Sequence, residues 1–200
     1  MLTTHAQHFI FCLSISLVNS SLILARTSLQ VGESVPNITF TDIDGNQANL
    51  EQYFDRIIIL SVAGRTSSTR LQKWMDPANL NLFKVQPDLR IAYVSIADVS
   101  GVPNLFRGVV SRMIKSISQS AHKKLAQTYQ NHNITVSQGQ RILHLIPDWR
   151  GDYLSRFGLS DGDKYAFWII HKGVVVAAFT EGAPDLKTRY VNVIKRLVTL

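Results

Sequence analysis

The sequence predicts an α/β domain in which helices flank a central mixed β-sheet. Two observations support this: four apolar runs rich in β-branched residues, and helix-forming segments between them. Residues 57–62 (IIILSV) are almost uniformly apolar, which is typical of a strand covered on both faces. Residues 89–96 form a second such run. Residues 164–170 and 173–179 are the third and fourth, joined by a turn that ends at Gly173.

An N-terminal β-hairpin is predicted ahead of the sheet. Residues 37–41 form a short strand, and residues 47–50 can return as the second arm. Asp44 and Gly45, between the two arms, are a strong signal for a two-residue turn.

Two shorter helices are predicted on either side of a long one. The first begins near Thr69 and is expected to stop after Trp74, because Pro77 follows. The last spans residues 185–197, where Pro184 opens a segment with apolar residues at helical spacing.

The longest predicted helix covers residues 105–130. Apolar residues recur in it every four positions: Leu105, Val109, Met113, Ile117 and Ala121. Its polar side is basic, with Arg107, Arg112, Lys115, Lys123 and Lys124. We expect this helix to cross over the sheet and bury its apolar side. A helix that lies on an anionic membrane surface or against a partner protein is the alternative.

The composition fits a basic globular domain. The chain has 200 residues, of which 46% are hydrophobic and 18% charged, as is ordinary for a protein with one core. No repeat or low-complexity linker divides residues 26–200, so we expect a single domain there. The net charge of +7 and the pI near 9.7 favour acidic partners or anionic surfaces without selecting one of them.

The N-terminal segment, residues 1–25, is predicted to be a secretory signal peptide. An apolar run over residues 9–25 ends at Ala25, just before the polar chain begins at Arg26. This interpretation predicts a secreted or periplasmic protein. An uncleaved anchor formed by residues 9–25 and a cytosolic start are the alternatives. The single cysteine, Cys12, lies inside the run, so a chain cleaved after Ala25 would contain no thiol.

Three stretches carry a family pattern through their order and spacing: residues 31–50, 148–159 (DWRGDYLSRFGL) and 167–175 (FWIIHKGVV). The residues that define it are Val31, Gly32, Pro36, Phe40, Asp42, Gly45 and Leu50, then Asp148, Gly151, Phe157, Gly158 and Leu159, then Phe167, Ile169, Ile170, Gly173 and Val175. Together these stretches resemble the redoxin families of the thioredoxin-like superfamily, namely peroxiredoxins and secreted thioredoxin-like proteins. The resemblance implies a thioredoxin-like fold in which residues 99–145 are a helical insertion.

The chain departs from the family pattern in both halves of the family's reactive site. The family carries its active cysteines after the strand, at about Thr66 to Thr69, where this chain has hydroxyl residues. A helix N-terminus can activate a thiol, whereas a hydroxyl needs an adjacent base, and none is near in sequence. Lys164 or Tyr165 replaces the family's cis-proline, so a trans peptide bond is expected there. The resemblance is therefore to a degenerate member that lacks the active-site cysteines.

The degenerate loop remains a candidate binding site. It places hydroxyls, backbone N–H groups and two guanidinium groups at a predicted helix N-terminus, which suits an anion or a carboxylate. Its residues are Arg65, Thr66, Ser67, Ser68, Thr69 and Arg70, with Lys164 and Tyr165 opposite. An ordinary N-cap with solvated arginines is the alternative. Lys164 would repel the arginines unless an anion is bound.

No catalytic residue, metal or cofactor is expected. The sequence contains no phosphate-loop, dinucleotide or hydrolase-elbow motif, and its histidines lack metal-ligand spacing. The tryptophans are isolated, which argues against a nucleic-acid partner. We therefore expect a non-catalytic module that binds a peptide or protein, with an acidic segment favoured. Two alternatives stay open: a redoxin-family oxidoreductase that uses a partner's thiol or a retained Cys12, and a basic protein on an anionic membrane surface.

Overall fold

The computed structural model describes residues 29–86, 88–132, 134, 141–159 and 164–199. The predicted signal segment and Cys12 lie outside the described residues. The strands and α-helices of the described chain are β1 (Thr39–Thr41), β2 (Gln47–Asn49), β3 (Ile57–Ala63), α1 (Arg65–Val85), β4 (Ile91–Asp98), α2 (Arg107–Asn131), β5 (Arg141–Asp148), α3 (Asp152–Arg156), β6 (Ala166–His171), β7 (Val174–Thr180) and α4 (Leu186–Val198). Short 3-10 helices at Leu50–Tyr53 and Asn104–Phe106 precede β3 and α2.

The central sheet is mixed, as predicted, and its strand order is β5-β4-β3-β6-β7. Strands β3, β4 and β5 are parallel, while β6 is antiparallel to β3, and β7 is antiparallel to β6. All seven residues of β3 are buried, because Ile58, Leu60 and Val62 face one core cluster and Ile57 and Ile59 face the other. Burial on both faces explains the uninterrupted apolar run.

Different elements cover the two faces of the sheet. One core cluster packs the hairpin and α3 against the sheet, through residues such as Phe40, Leu50, Leu154 and Phe157. The other packs α1 and α4, and Tyr190 of α4 is fully buried there. The turn between β6 and β7 is also as predicted. A Cβ on Gly173, whose φ is +78°, would lie 2.8 Å from the Phe54 ring, so only glycine fits at this position.

The hairpin forms as predicted, but its turn is longer than two residues. Thr41 pairs with Gln47, so five residues, 42–46, connect the arms. The reason is the Asp42 carboxylate, whose Oδ1 accepts hydrogen bonds from the backbone N–H groups of Asp44 at 3.0 Å and Asn46 at 2.9 Å. This side-chain bonding favours a wider loop than the Asp44-Gly45 pair alone would form.

Helix α1 corrects the prediction that Pro77 ends the first helix. The helix begins at Arg65 and continues through Pro77 to Val85. Leu71 and Met75 before the proline and Leu82 after it are all buried in the same core cluster. This packing holds both halves on the sheet and outweighs the missing backbone hydrogen bond.

Helix α2 corrects the prediction that the long helix buries its apolar side. Leu105, Val109, Met113 and Ile117 are between 42% and 85% exposed, and the side chain of Ala121 lies outside the described residues. Among the side chains of α2 that the structure describes, the buried ones are Ile114, Ser118 and Tyr129.

The path of α2 explains why its apolar side stays exposed. Lys115 forms an ion pair with Asp44 of the hairpin loop at 2.8 Å, on one side of the sheet. Near the end of the helix, the Tyr129 ring packs on Phe83 of α1, on the other side, with ring centroids 5.5 Å apart. The helix therefore bridges the two sides of the sheet instead of lying flat on one.

Within the described residues, no helix is long and apolar enough to cross a membrane.

Candidate functional site

The sheet register brings the two parts of the predicted site together. Val62, near the end of β3, is paired with Ala166 at the start of β6. The first turn of α1, which follows Gly64 directly, therefore lies beside Lys164 and Tyr165. The peptide bonds of the described residues are all trans, as expected for the Lys164–Tyr165 segment.

Three hydroxyl groups of the loop are bonded to its own backbone. Ser67 is fully buried, and its Oγ donates to the carbonyl oxygen of Gly64 at 3.2 Å. The hydroxyls of Ser68 and Thr69 both donate to the carbonyl oxygen of Arg65, at 2.8 and 3.3 Å. The N-cap is Gly64, which has no side chain to cap with. The hydroxyls of Ser67, Ser68 and Thr69 are thus neither the N-cap nor free donors aimed at a ligand.

A carboxylate from the chain itself occupies the cationic loop. Glu181 follows β7 and accepts two hydrogen bonds from the Arg70 guanidinium, one of them from Nη2 to Oε2 at 2.9 Å. These hydrogen bonds hold the pKa of the Glu181 carboxyl below its usual range, although its partial burial opposes them, and the charge of Lys164 lowers it further. The anion expected between the arginines and Lys164 is therefore supplied internally.

The sequence interpretation missed Glu181. A signal was present, because a short turn joins β6 and β7 and so pairs Ala166 with Thr180. That register places residue 181 next to residue 165, and the backbone N–H of Glu181 donates to the Tyr165 carbonyl at 2.9 Å.

Tyr165 forms the closed wall of the site. It is buried, and its hydroxyl accepts a hydrogen bond from Trp74 Nε1 at 3.2 Å. Arg65, Thr66, Thr69, Arg70 and Lys164 are exposed, so among the described residues three cations lie near one carboxylate at this surface. We call these five exposed residues the cationic surface. No group of acidic residues, histidines or cysteines able to hold a metal ion occurs in the described part of the chain.

A second polar cluster lies on the hairpin side of the sheet. His144 of β5 bonds through Nδ1 to Asp42 Oδ2 at 3.0 Å and through Nε2 to the Tyr53 hydroxyl at 2.7 Å. A neutral imidazole with its proton on Nδ1 satisfies both contacts, donating to the carboxylate and accepting from the phenol. In the sequence, the histidines lack metal-ligand spacing. The structure places His144 in a partly buried position, where it is bonded to the hairpin through Asp42.

The charges in this cluster fit a structural role. Burial alone would raise the pKa of the Asp42 carboxyl, but hydrogen bonds from His144, Asn46 and two backbone N–H groups outweigh it, so the pKa lies below its usual value. Burial, together with the Asp42 charge, raises the pKa of Tyr53. The phenol therefore stays protonated near neutral pH and is not an activated nucleophile.

A cavity of about 450 Å³ opens next to this cluster, between the hairpin, α2 and the loop that precedes α3. Asp148 lines it, but its carboxylate accepts hydrogen bonds from the backbone N–H groups of three residues at the start of α3, Asp152, Tyr153 and Leu154. On the α2 side, the guanidinium of Arg107 lies over the Trp149 ring and bonds to the Trp149 carbonyl at 3.1 Å. Asp148 and Arg107 are thus engaged in holding the loop that precedes α3.

Comparisons with known proteins identify the fold. No protein-family model matches the sequence, and no curated protein matches it. Several solved structures are similar to this chain in fold. A candidate thiol:disulfide interchange protein DsbE from Chlorobium tepidum has a TM-score of 0.51 at 12% identity, covering 84% of this chain and 98% of that one. A SCO1/SenC family lipoprotein from Bacillus anthracis has a TM-score of 0.51 at 12% identity, with coverages of 82% and 95%.

A third similar structure is BsSco, a member of the Sco family of cytochrome c oxidase assembly proteins. Its TM-score is 0.50 at 17% identity, with coverages of 84% and 94%. Identities this low establish the fold alone. The fold is thioredoxin-like, as the sequence motifs predicted. At positions 66–69, where that resemblance places the active thiols, this chain has no cysteine.

Proposed function

We propose that this chain is an extracytoplasmic, non-catalytic thioredoxin-like protein that binds an acidic segment of a partner at the cationic surface. The observation that carries the proposal is the charge balance there. Within the part of the chain that the structure describes, Arg65, Arg70 and Lys164 lie near one carboxylate, Glu181. No thiol is present among residues 26–200. An acidic peptide would compensate the remaining positive charge, and it could compete with Glu181 for Arg70.

The bonding of the loop supports binding over catalysis. Covalent chemistry at a hydroxyl requires a neighbouring base within hydrogen-bond reach. Here the Ser67, Ser68 and Thr69 hydroxyls donate to backbone carbonyls, and the nearby carboxylate, Glu181, is held by Arg70. Such a loop presents charge and backbone, and it supplies no activated nucleophile.

Two lines support a location outside the cytoplasm. Residues 1–25 have the pattern of a secretory signal. Of the proteins with similar folds, one is named a lipoprotein and another belongs to a family of cytochrome c oxidase assembly proteins. A role in holding a partner during assembly fits a thioredoxin-like domain that has kept the fold and lost the cysteines.

The proposal is tested by measuring binding of a fluorescein-labelled acidic peptide, built from Glu, Gly and Ser, by anisotropy. We expect saturable binding that weakens with added salt and falls about tenfold in the double variant Arg65→Glu/Lys164→Glu. The matched control, Lys84→Glu/Lys195→Glu, changes net charge equally at exposed positions in the last turns of α1 and α4. Absence of binding, or an equal loss in both variants, would contradict a binding role for this surface.

A further inference from the structure

Helix α2 and the turn before it present an unpartnered apolar surface. Leu105, Phe106, Val109, Met113 and Ile117 are the exposed large hydrophobic residues of this region. Their spacing places them along one side of the helix, opposite the buried Ile114 and Ser118. We call these five residues the α2 outer face. Of the exposed large hydrophobic residues identified in the described chain, only Val31 and Val85 lie elsewhere.

The charge of α2 indicates what could cover this surface. Residues 107–131 contain five basic residues, Arg107, Arg112, Lys115, Lys123 and Lys124, and no aspartate or glutamate. Arg107 and Lys115 are engaged on the inner side, with Trp149 and Asp44. Arg112 and Lys123 are exposed, and helical spacing places them on the same side as Leu105 and Val109.

The helix is preformed and held with this surface outward. Ile114, Ser118 and Tyr129 anchor it on the inner side, and the Lys115–Asp44 ion pair ties it to the hairpin. An amphipathic helix that lies in a membrane interface has these features: an apolar side, flanking Lys and Arg residues, and little acidic charge. Because the helix is already folded, docking would not require the ordering of a disordered segment.

We propose that the α2 outer face docks onto a phospholipid surface that carries anionic headgroups. The apolar side chains enter the interface, and Arg112 and Lys123 lie at the level of the phosphates. Charge complementarity favours this occupant over a second copy of the chain. Face-to-face packing of two α2 helices would bring Arg112 and Lys123 of both copies together, with no acidic residue of α2 to offset them. The proposal rests on α2 alone and is independent of the cationic surface.

The test is sedimentation of the full chain with vesicles of phosphatidylcholine alone or of phosphatidylcholine and phosphatidylglycerol. The N-terminal segment is the same in every variant, so differences between variants report on α2. We expect binding to anionic vesicles to fall about tenfold in Val109→Ser/Met113→Ser/Ile117→Ser. In Arg112→Gln/Lys123→Gln, we expect weaker binding and a smaller dependence on salt. Val31→Ser/Val85→Ser removes exposed apolar side chains outside α2, and it should bind like the parent chain.

A probe of insertion separates docking from simple charge attraction. An environment-sensitive dye on Val109→Cys, in a Cys12→Ser background, should shift to the blue with anionic vesicles, while the same dye on Val85→Cys should not. Unchanged vesicle binding in the triple serine variant would overturn the proposal. So would a parent chain that dimerises through this surface, with vesicles failing to compete and the triple variant remaining monomeric.

Discussion

Helices α1 and α2 have similar lengths, 21 and 25 residues, and both follow a strand of the parallel part of the sheet. Both also have an apolar side. Helix α1 buries seven residues, including Leu71, Leu82 and Phe83, against the sheet and α4. Among its described side chains, helix α2 buries three, and it leaves Val109, Met113 and Ile117 exposed to solvent. An apolar stripe in the sequence therefore shows that a helix has an apolar side. Whether that side is buried within the chain depends on the elements that pack around the helix.

The largest difference between the helices should appear in stability. Leu82→Ala in α1 should lower the free energy of unfolding by about 2–5 kcal/mol, because it leaves a cavity in a closed core. Met113→Ala in α2 should change it by less than about 0.5 kcal/mol, because the side chain is exposed. Urea unfolding followed by circular dichroism measures both. Similar losses at the two positions would mean that the chain does bury the α2 outer face.

The next largest effect concerns the hairpin to which α2 is tied. Asp42→Ala should cost about 1–3 kcal/mol at pH 7, because it leaves His144 Nδ1 and two backbone N–H groups without their acceptor. The folded pKa of Asp42 is depressed, so its contribution is full above the unfolded value of 3.8 and is lost as the pH falls through the folded value.

The pH dependence supplies the check on Asp42. The difference in unfolding free energy between the parent chain and Asp42→Ala should narrow as the pH is lowered below about 4. Asp44→Ala, at an exposed carboxylate in the same loop, is the matched control and should change stability by less than about 0.5 kcal/mol. A difference that stays constant between pH 7 and pH 3 would contradict the role given to the Asp42 charge.

Much of the fold follows from local sequence signals. The apolar run of β3, the hairpin and the turn at Gly173 each depend on a few neighbouring residues, so pattern and turn chemistry predict them. The continuation of α1 through Pro77 does not follow, because packing on both sides of the proline decides it. The exposure of the α2 outer face is missed for the same reason, since periodicity finds the stripe but not the path of the helix across the sheet.

The candidate site was predicted only in part. The positions of Arg65 to Arg70 and of Lys164 follow from the family motifs, and the structure brings them together. Glu181 depends on the β6–β7 register, which the sequence indicates only weakly. Asp42 and His144 are 102 positions apart in the sequence, so no local pattern predicts their contact.

The smallest expected effects are the coupling free energies of two ion pairs, one on α1 and one on α2. A double-mutant cycle on Arg70 and Glu181 should give a coupling free energy of about 0.2–1 kcal/mol that declines with salt. The pair is bidentate, but its side chains are 44% and 21% exposed, so solvent and salt screen it. The cycle on Lys115 and Asp44 should give less, because both side chains are 47% exposed. A stronger coupling on α2 would reverse the comparison and indicate that the Lys115 contact determines how the helix is held.

The central claim is that this thioredoxin-like chain works without thiol chemistry. The most direct test measures the reduction of an insulin disulfide and of hydrogen peroxide by the full chain, with dithiothreitol as the electron donor. Cys12→Ser, which removes the single cysteine, is the comparison. We expect that neither protein exceeds the rate of the donor alone and that both bind the acidic peptide equally. Turnover by the parent chain that disappears in Cys12→Ser would contradict it and assign the function to the N-terminal cysteine.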